Sequence, residues 1–194
     1  MIGLSSDQEH GMSLYHAALA ELGGVFSRLD DAQVEALVAQ IAAARRVVVF
    51  GAGRERLQIM GFAMRLFHMG LQVAVEGDMT TPAVGPGDLF LVVCGPGYLS
   101  TAAALMEVAR AAGARVVMIT AQATGRCAGL ADDILLLPAQ TMADDQGDRA
   151  SSVLPMGSLF EGSLFVLFEV MVLQLKTRLG ITAEAMRANH TNLE

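Results

Sequence analysis

Short apolar runs alternate with helical segments through the middle of this chain, and the alternation restricts the fold more than any other feature. The runs are rich in Val, Ile, Leu and Phe and end at glycine, proline or polar residues; they are RRVVVF, LQVAV, DLFLVVC, ARVVMIT and DILLLP, which begin at positions 45, 71, 88, 114 and 133. Segments with apolar residues at helical spacing connect most of them. Strands that alternate with helices predict a mainly parallel sheet covered by helices on both faces, with right-handed crossovers.

Helices are predicted at both ends of the chain. The opening segment, about residues 7–44, has two stretches of helical periodicity, the second capped by Asp30 or Asp31. The closing segment, about residues 157–189, contains a nearly continuous apolar stretch interrupted by Glu161 and Glu169. The uncharged run between these glutamates is far shorter than the roughly 20 residues that cross a bilayer, so we predict a buried helix in a core or subunit interface and no membrane role.

The composition excludes several classes of protein. A formal net charge of −7 and the absence of Trp argue against a nucleic-acid partner, which would require a basic stripe. Cys94 and Cys127 are too few for a disulfide framework, and no metal-ligand spacing occurs. The first residues have neither a basic nor an apolar signal-like region. We therefore expect a single domain over residues 1–194, cytoplasmic and without a metal.

The first glycine turn, GAGRER at 51–56, permits several interpretations. Gly51 and Gly53 follow a strand, and Glu76 ends the next strand at about the distance expected of a ribose-binding acid, which suggests a dinucleotide site. Arg56, however, occupies the position of the third glycine and would hinder close helix packing. A plain strand-to-helix turn and a turn that binds a sugar or sugar phosphate are the alternatives, and we expect no cofactor.

A long polar segment lies between the last predicted strand and the apolar helix. It spans residues 139–157 and contains three Asp, two Ser, two Gly and one Pro. Loops of this length inside a compact domain are often functional. We expect part of this segment to contribute to a binding site.

Several stretches together resemble the SIS (sugar isomerase) domain family, and within it the 6-phospho-3-hexuloisomerases. They are GAGRERLQIMGFAMRLFHMG, GDMTTPAVGPGDL, GARVVMIT, PMGSLFE and NHTNLE, which begin at positions 51, 77, 113, 155 and 189. The resemblance implies a three-layer α-β-α sandwich around a five-stranded parallel, doubly wound sheet. It also implies a homo-oligomer, a tetramer, whose sites lie at the strand carboxyl ends and are completed by a neighbouring subunit, with the terminal helices packed on partner subunits.

The same resemblance implies a reaction and its residues. Members of the family interconvert D-arabino-hex-3-ulose 6-phosphate and fructose 6-phosphate through an enediol, which needs a base and a proton donor. Glu161 and His190 match the expected catalytic pair. The positions expected to bind substrate are Gly53, Arg54, Glu55, His68, Thr80, Gly95, Gly97, Ser100 and Thr101. Glu161, His68 and His190 also have a purely structural interpretation. Glu161 suits the first turn of a helix and His68 suits a helix carboxyl end, where their charges interact favourably with the helix dipole. His190 would be a solvated residue of the tail.

One loop departs from the family pattern. Where the family has a sequence close to Ser-Gly-Ser-Gly-Glu-Thr, this chain has CGPGYL at 94–99, and Glu55 stands where a serine is expected. The loop at 94–99 loses three hydroxyls, and Pro96 also lacks a backbone donor. At roughly 1.5–3 kcal/mol for each hydrogen bond to a charged group, the loss predicts weak phosphate binding unless Arg54 or Arg126 compensates.

The function predicted from the sequence is therefore a sugar or sugar-phosphate isomerase of the hexuloisomerase type. The alternative is a noncatalytic SIS module that binds a sugar derivative, which the altered loop favours and the matching Glu161 and His190 disfavour. In both cases the expected partner is a small carbohydrate.

Overall fold

The computed structural model describes residues 13–193. Its elements are α1 (Leu14–Phe26), α2 (Asp31–Ala43), β1 (Arg46–Phe50), α3 (Gly53–His68), β2 (Val73–Val75), β3 (Asp88–Val93), α4 (Ser100–Ala111), β4 (Arg115–Thr120), β5 (Asp133–Leu136), α5 (Ser158–Leu179) and α6 (Ala183–Ala188). Short 3-10 turns lie at Ala128–Leu130 and Gly147–Arg149. The part of the predicted first helix at positions 7–12 lies outside the described residues.

The five strands form one parallel sheet in the order β2-β1-β3-β4-β5. Strand β3 is buried along its whole length, as its uninterrupted apolar sequence predicts for a strand covered on both faces. The predicted α/β sandwich with a five-stranded parallel sheet is confirmed. The one notable difference is the short β2, which lies at the sheet edge and pairs on one side only.

Side chains that alternate along the strands build two separate cores. On one face, Val48, Phe90 and Val92 pack with Ala102 and Met106 of α4. On the other face, α2, α3 and α5 cover the strands with residues that include Ile59, Leu66, Leu164 and Met171. The crossover helices α3 and α4 therefore lie on opposite faces, which makes the sheet doubly wound.

Helix α5 is the longest element of the described chain, with 22 residues, and most of its sequence is apolar. It contacts α1, α2 and α3. Within residues 13–193, Ser158–Leu179 is the one helix long and apolar enough to cross a membrane, and half of its most apolar window is buried inside the fold. Leu164, Leu167, Met171 and Leu175 are all at most 1% exposed, so the helix serves as the centre of one helical layer.

Parallel strands bring their carboxyl ends to one edge of the sheet, and three segments meet there. The turn after β1 leads into α3, the loop after β3 leads into α4, and residues 139–157 lead from β5 back to the start of α5. Loops at this edge are where open α/β sheets bind ligands. The candidate site lies in the space between these three segments.

Candidate active site

A cleft of about 320 Å³ opens at the carboxyl edge of the sheet. Its lining comes from all three converging segments, and consists of Ala52, Gly53, Arg54, Glu55, Pro96, Leu99, Thr141, Met142, Gly157, Phe160 and Glu161. Apolar surface dominates, and the charged side chains are two glutamates and one arginine. Small-molecule sites are typically apolar clefts with a few polar groups of this kind.

Arg54 and Glu161 form an ion pair across the cleft. The guanidinium Nη2 lies 3.3 Å from Glu161 Oε1. The same side chain donates from Nη1 to Ser158 Oγ at 2.9 Å and from Nη2 to the Met156 carbonyl oxygen. The first turn of α3 is thereby fixed to the first turn of α5.

The backbone before α5 is shaped to make these contacts. Met156 has φ +56° and Gly157 has φ +75°, so two successive residues adopt the left-handed conformation. A Cβ at position 157 would lie 2.5 Å from the Met142 nitrogen, which requires glycine there. A left-handed methionine is unusual, and it directs its carbonyl oxygen to Arg54.

The environment of Glu161 strengthens it as a base. Burial raises the pKa of its carboxyl, and the charge of Arg54 partly opposes the rise. The oxygen Oε1 faces Arg54, while Oε2 is buried and has no hydrogen-bond partner among the described residues. A carboxylate with one anchored oxygen and one oxygen without a hydrogen-bond partner retains the capacity to accept a proton.

Glu55 is the second carboxyl group of the cleft, and it is 9% exposed. Its Oε1 accepts a hydrogen bond from the Gly95 backbone N–H at 3.1 Å, which joins the start of α3 to the loop after β3. Its Oε2 is buried without a hydrogen-bond partner among residues 13–193. Burial is the main cause that raises the pKa of Glu55 to about 7, and the nearby Glu161 adds to the rise.

Close packing explains both glycines of the β3–α4 loop. A Cβ at position 95 would lie 2.6 Å from Glu55 Oε1 and 2.8 Å from the Phe160 ring, and one at position 97 would lie 2.6 Å from Gln122. Gly97 also has φ +78°. Gly95 and Gly97 are therefore required by the loop's own structure, whatever the loop binds.

The other residues expected near this loop lie outside the cleft lining. Ser100 and Thr101 are exposed in the first turn of α4. Arg126 is stacked over the Tyr98 ring, 4.2 Å from its centre. Of the two arginines that the sequence offered as anion ligands, Arg54 lines the cleft and Arg126 does not.

His68 and His190 lie together, but away from Glu161. Their rings are 4.9 Å apart, and Asn189 Nδ2 donates to the His68 carbonyl oxygen at 3.0 Å. His68 ends α3 and Arg54 stands in its first turn, so the helix separates the two groups by about 20 Å. One chain by itself does not bring its predicted catalytic pair together.

Two further positions are explained by the fold. Thr80 lies beyond β2 and lines a different cavity at the sheet edge, with Met64, Phe67 and Thr81 among its neighbours. Glu76 is held by Arg56, which donates to its carbonyl oxygen at 2.8 Å and lies 3.8 Å from its carboxylate.

In residues 13–193 no group of three His, Cys, Asp or Glu side chains is arranged to hold a metal.

The SIS domain model matches residues 40–161, which run from the end of α2 to Glu161. The chain belongs to the SIS domain family. The matched region contains the whole parallel sheet and, at its last residue, the glutamate of the cleft. The SIS domain of this chain is therefore extended by most of α5 and by α6.

Relatives match most of the chain beyond that region. A 3-hexulose-6-phosphate isomerase of Mycobacterium gastri is 41% identical over 174 residues, covering 90% of this chain and 86% of its own. A 3-hexulose-6-phosphate isomerase of Methylomonas aminofaciens is 35% identical over 176 residues, covering 91% of this chain and 96% of its own. The predicted resemblance is confirmed.

Solved structures agree on the fold. A Methanococcus jannaschii protein, whose structure was taken to infer a function of 3-hexulose-6-phosphate isomerase, has a TM-score of 0.80 at 23% identity, covering 92% of this chain and 97% of its own. The Vibrio vulnificus NanR protein complexed with ManNAc-6P has a TM-score of 0.69 at 17% identity, and the match covers 91% of this chain and 64% of that one. At these identities the comparison establishes a shared SIS fold.

Several cleft residues were not predicted from the sequence. Thr141 and Met142 belong to the long polar segment that was expected to be functional, but its length did not indicate which residues face the cleft. Phe160, and Ser158, which binds Arg54 beside the cleft, looked like ordinary residues of an apolar helix start. The signal that could have located these two is their position beside Glu161, whereas no local signal marked Thr141 and Met142.

Proposed function

We propose that this SIS domain is an isomerase that moves a sugar carbonyl between adjacent carbons through an enediol, with Glu161 as the base. The observation that carries the proposal is the Glu161 carboxyl, half-buried in the cleft, paired with Arg54 through one oxygen and unpartnered at the other. The 3-hexulose-6-phosphate isomerases of Mycobacterium gastri and Methylomonas aminofaciens support this reaction class. The reaction is an internal redox change, so it requires no cofactor.

The proton balance needs one base and one proton donor. Glu161 takes the proton from C3 of a 2-ketose, the C3–H electron pair forms the C2–C3 double bond, and the carbonyl oxygen becomes an enediol hydroxyl on receiving a proton. Return of the first proton to C2, with loss of the hydroxyl proton from C3–OH, gives the 3-ketose. Arg54 keeps Glu161 ionised and oriented while the ligand is bound.

His190 is proposed as the second catalytic group, supplied by a neighbouring subunit. The separation of about 20 Å within one chain follows from the length of α3. Exposed apolar side chains on α3 and α5, such as Leu57, Phe165 and Leu173, give the chain surfaces on which copies can associate. The proposed assembly is a homotetramer with shared sites. The free cysteines Cys94 and Cys127 fit the reducing cytoplasm in which we place it.

A noncatalytic sugar-binding module is the second candidate. Glu55 favours it, because a carboxyl in the first turn of α3, where the family pattern has a serine, departs from the pattern of a phosphosugar enzyme. The SIS fold shared with NanR, a protein complexed with ManNAc-6P, is compatible with it. The two candidates differ in whether the Glu161 carboxyl is needed after the ligand has bound.

The test compares Glu161→Gln with Glu169→Gln on ketohexoses with and without a 6-phosphate. Glu169 lies two turns along the same helix and pairs with Arg65 at 3.3 Å, outside the cleft, so its variant is the matched control. Glu161→Gln should lower kcat by about 10²–10⁴-fold and change ligand Kd by only a few fold. Glu169→Gln should retain turnover. Ligand binding with no turnover in the parent, or equal turnover in Glu161→Gln, would contradict the proposal.

A further inference from the structure

The end of the cleft next to the β3–α4 loop contains a carboxyl group of the protein itself. Glu55 approaches from α3, and its Oε1 occupies the hydrogen-bonding direction of the Gly95 N–H at 3.1 Å. The following residue, Pro96, has no N–H. Two successive positions of the loop therefore have no free backbone donor for a ligand.

The surroundings of Glu55 are also unfavourable for a ligand anion. Pro96, Leu99 and Phe160 form apolar walls around this part of the cleft. In a site of low polarity the repulsion between a carboxylate and a phosphate is strong, and little water screens it. Glu161 adds a second acidic group to the same cleft.

The positive charge in the cleft already has partners within the protein. Among the described residues that line the cleft, Arg54 is the one cation, and it contacts Glu161, Ser158 and the Met156 carbonyl oxygen. Those contacts direct it to the start of α5, where the proposed base lies. A phosphate at the loop would have to separate Arg54 from Glu161 to obtain a charged partner.

Glu55 nevertheless leaves one polar atom to be satisfied. Its Oε2 is buried and has no hydrogen-bond partner within residues 13–193. Buried polar atoms without partners are costly, and a ligand hydroxyl is a suitable partner for a carboxyl oxygen. The raised pKa of Glu55, about 7, further allows it to donate a proton to such a hydroxyl.

We propose that Glu55 determines specificity by occupying the loop in place of a phosphate and by hydrogen-bonding a terminal hydroxyl, so that the ligand of this site is an unphosphorylated sugar. The inference rests on the proposed isomerase function and names its substrate class. It separates this chain from relatives named as isomerases of a 6-phosphate sugar.

The experiment measures Kd by calorimetry for fructose, fructose 6-phosphate and inorganic phosphate. The proteins are the parent, Glu55→Ser, the triple variant Glu55→Ser/Pro96→Ser/Leu99→Thr, and Glu107→Ser. Glu107 is exposed on α4, so its variant makes the same charge change outside the cleft. Glu55→Gln keeps the shape of the side chain and its contact with Gly95, and serves as the second variant if serine impairs folding.

In the parent, fructose should bind at least as tightly as fructose 6-phosphate, and inorganic phosphate should not compete. Glu55→Ser should reverse this order, with a gain of at least tenfold for fructose 6-phosphate and weaker binding of fructose, whose terminal hydroxyl loses its hydrogen bond to Glu55. The triple variant should gain more, because two hydroxyls and a backbone donor are added. Glu107→Ser should behave as the parent, and Glu55→Gln should gain less than Glu55→Ser for fructose 6-phosphate, because it removes the repulsion but still occupies the loop.

A parent that prefers fructose 6-phosphate would overturn the proposal, as would serine variants that gain nothing for the phosphosugar. A gain in Glu55→Gln as large as in Glu55→Ser would also overturn it, since charge alone, not occupation of the loop, would then exclude phosphate. These binding results do not depend on turnover. If Glu161→Gln kept full turnover, the proposed function would fail while the order of Kd values still tested Glu55.

Discussion

At the residue scale, the two carboxyl groups of the cleft have different environments and different proposed tasks. Glu161 is paired with an arginine 3.3 Å away, whose charge favours the ionised form and partly opposes the rise in pKa that burial causes. Glu55 is paired with a backbone N–H and is more deeply buried. Because burial penalises the charged form, Glu55 holds its proton to higher pH than an ordinary glutamate.

The pH dependence of stability should reveal this property of Glu55. Its pKa rises from the ordinary 4.5 to about 7 on folding, so the folded state is favoured while the group is protonated, and this advantage is lost between those two pH values. Glu55→Gln is neutral at every pH. Its free energy of unfolding relative to the parent should therefore increase by about 2 kcal/mol between pH 5 and pH 8, as measured by urea denaturation.

The matched control for that measurement is Glu107→Gln, which removes an exposed carboxyl of α4. Its difference from the parent should be the same at both pH values. Parallel pH profiles for Glu55→Gln and the parent would show that burial does not raise the pKa of Glu55, and that this carboxyl is already ionised in the folded protein at pH 5.

At the scale of elements, the strands and crossover helices were predictable from the sequence because their signals are local. Runs such as Arg115–Thr120 combine β-branched residues with apolar character, and Gly70 and Gly113 mark helix ends with φ of +80° and +84°. The same reasoning predicted a buried α5, and the packing of α5 on three other helices confirms it. The edge strand β2 was predicted longer than it is, because local composition does not report that a strand pairs on one side only.

The contacts of the cleft were not predictable in the same way. Glu55 and Gly95 are 40 positions apart, and they meet because β1 lies beside β3 while β2 lies outside them. Strand order depends on the packing of the whole sheet, and no local pattern specifies it. The resemblance to the SIS family supplied Glu161, whereas its ion pair with Arg54 depends on the left-handed backbone at Met156 and Gly157.

At the scale of the whole molecule, the proposed chemistry requires more than one subunit, because His190 lies far from the cleft of its own chain. The His190 ring lies 4.9 Å from the His68 ring, at the far end of α3 from the cleft. Leu57, Met64, Phe165 and Leu173 are between 47% and 66% exposed, which is a large apolar surface for a chain of this size. We therefore predict a homo-oligomer in which His190 of one subunit serves the cleft of another.

Subunit complementation tests this arrangement. Glu161→Gln and His190→Ala should each lower turnover as pure proteins. When the two are co-expressed and assemble at random, about one quarter of the sites combine an intact Glu161 with an intact His190 from different subunits. Turnover should recover to about that fraction of the parent value, and light scattering should show a mass above that of one chain. No recovery, or a monomer at all concentrations, would contradict the shared site.

The central claim is that the Glu161 carboxylate removes a carbon-bound proton from a sugar, and exchange with heavy water measures that step directly. When the parent protein is incubated in D₂O with fructose and, separately, with fructose 6-phosphate, NMR should show deuterium entering C3 of the ligand that it binds. Glu161→Gln should bind the ligand with little change and slow the exchange by about 10²–10⁴-fold, while Glu169→Gln exchanges at the parent rate. Binding by the parent without exchange at C3, or exchange that is unchanged in Glu161→Gln, would contradict the role of Glu161 as the base.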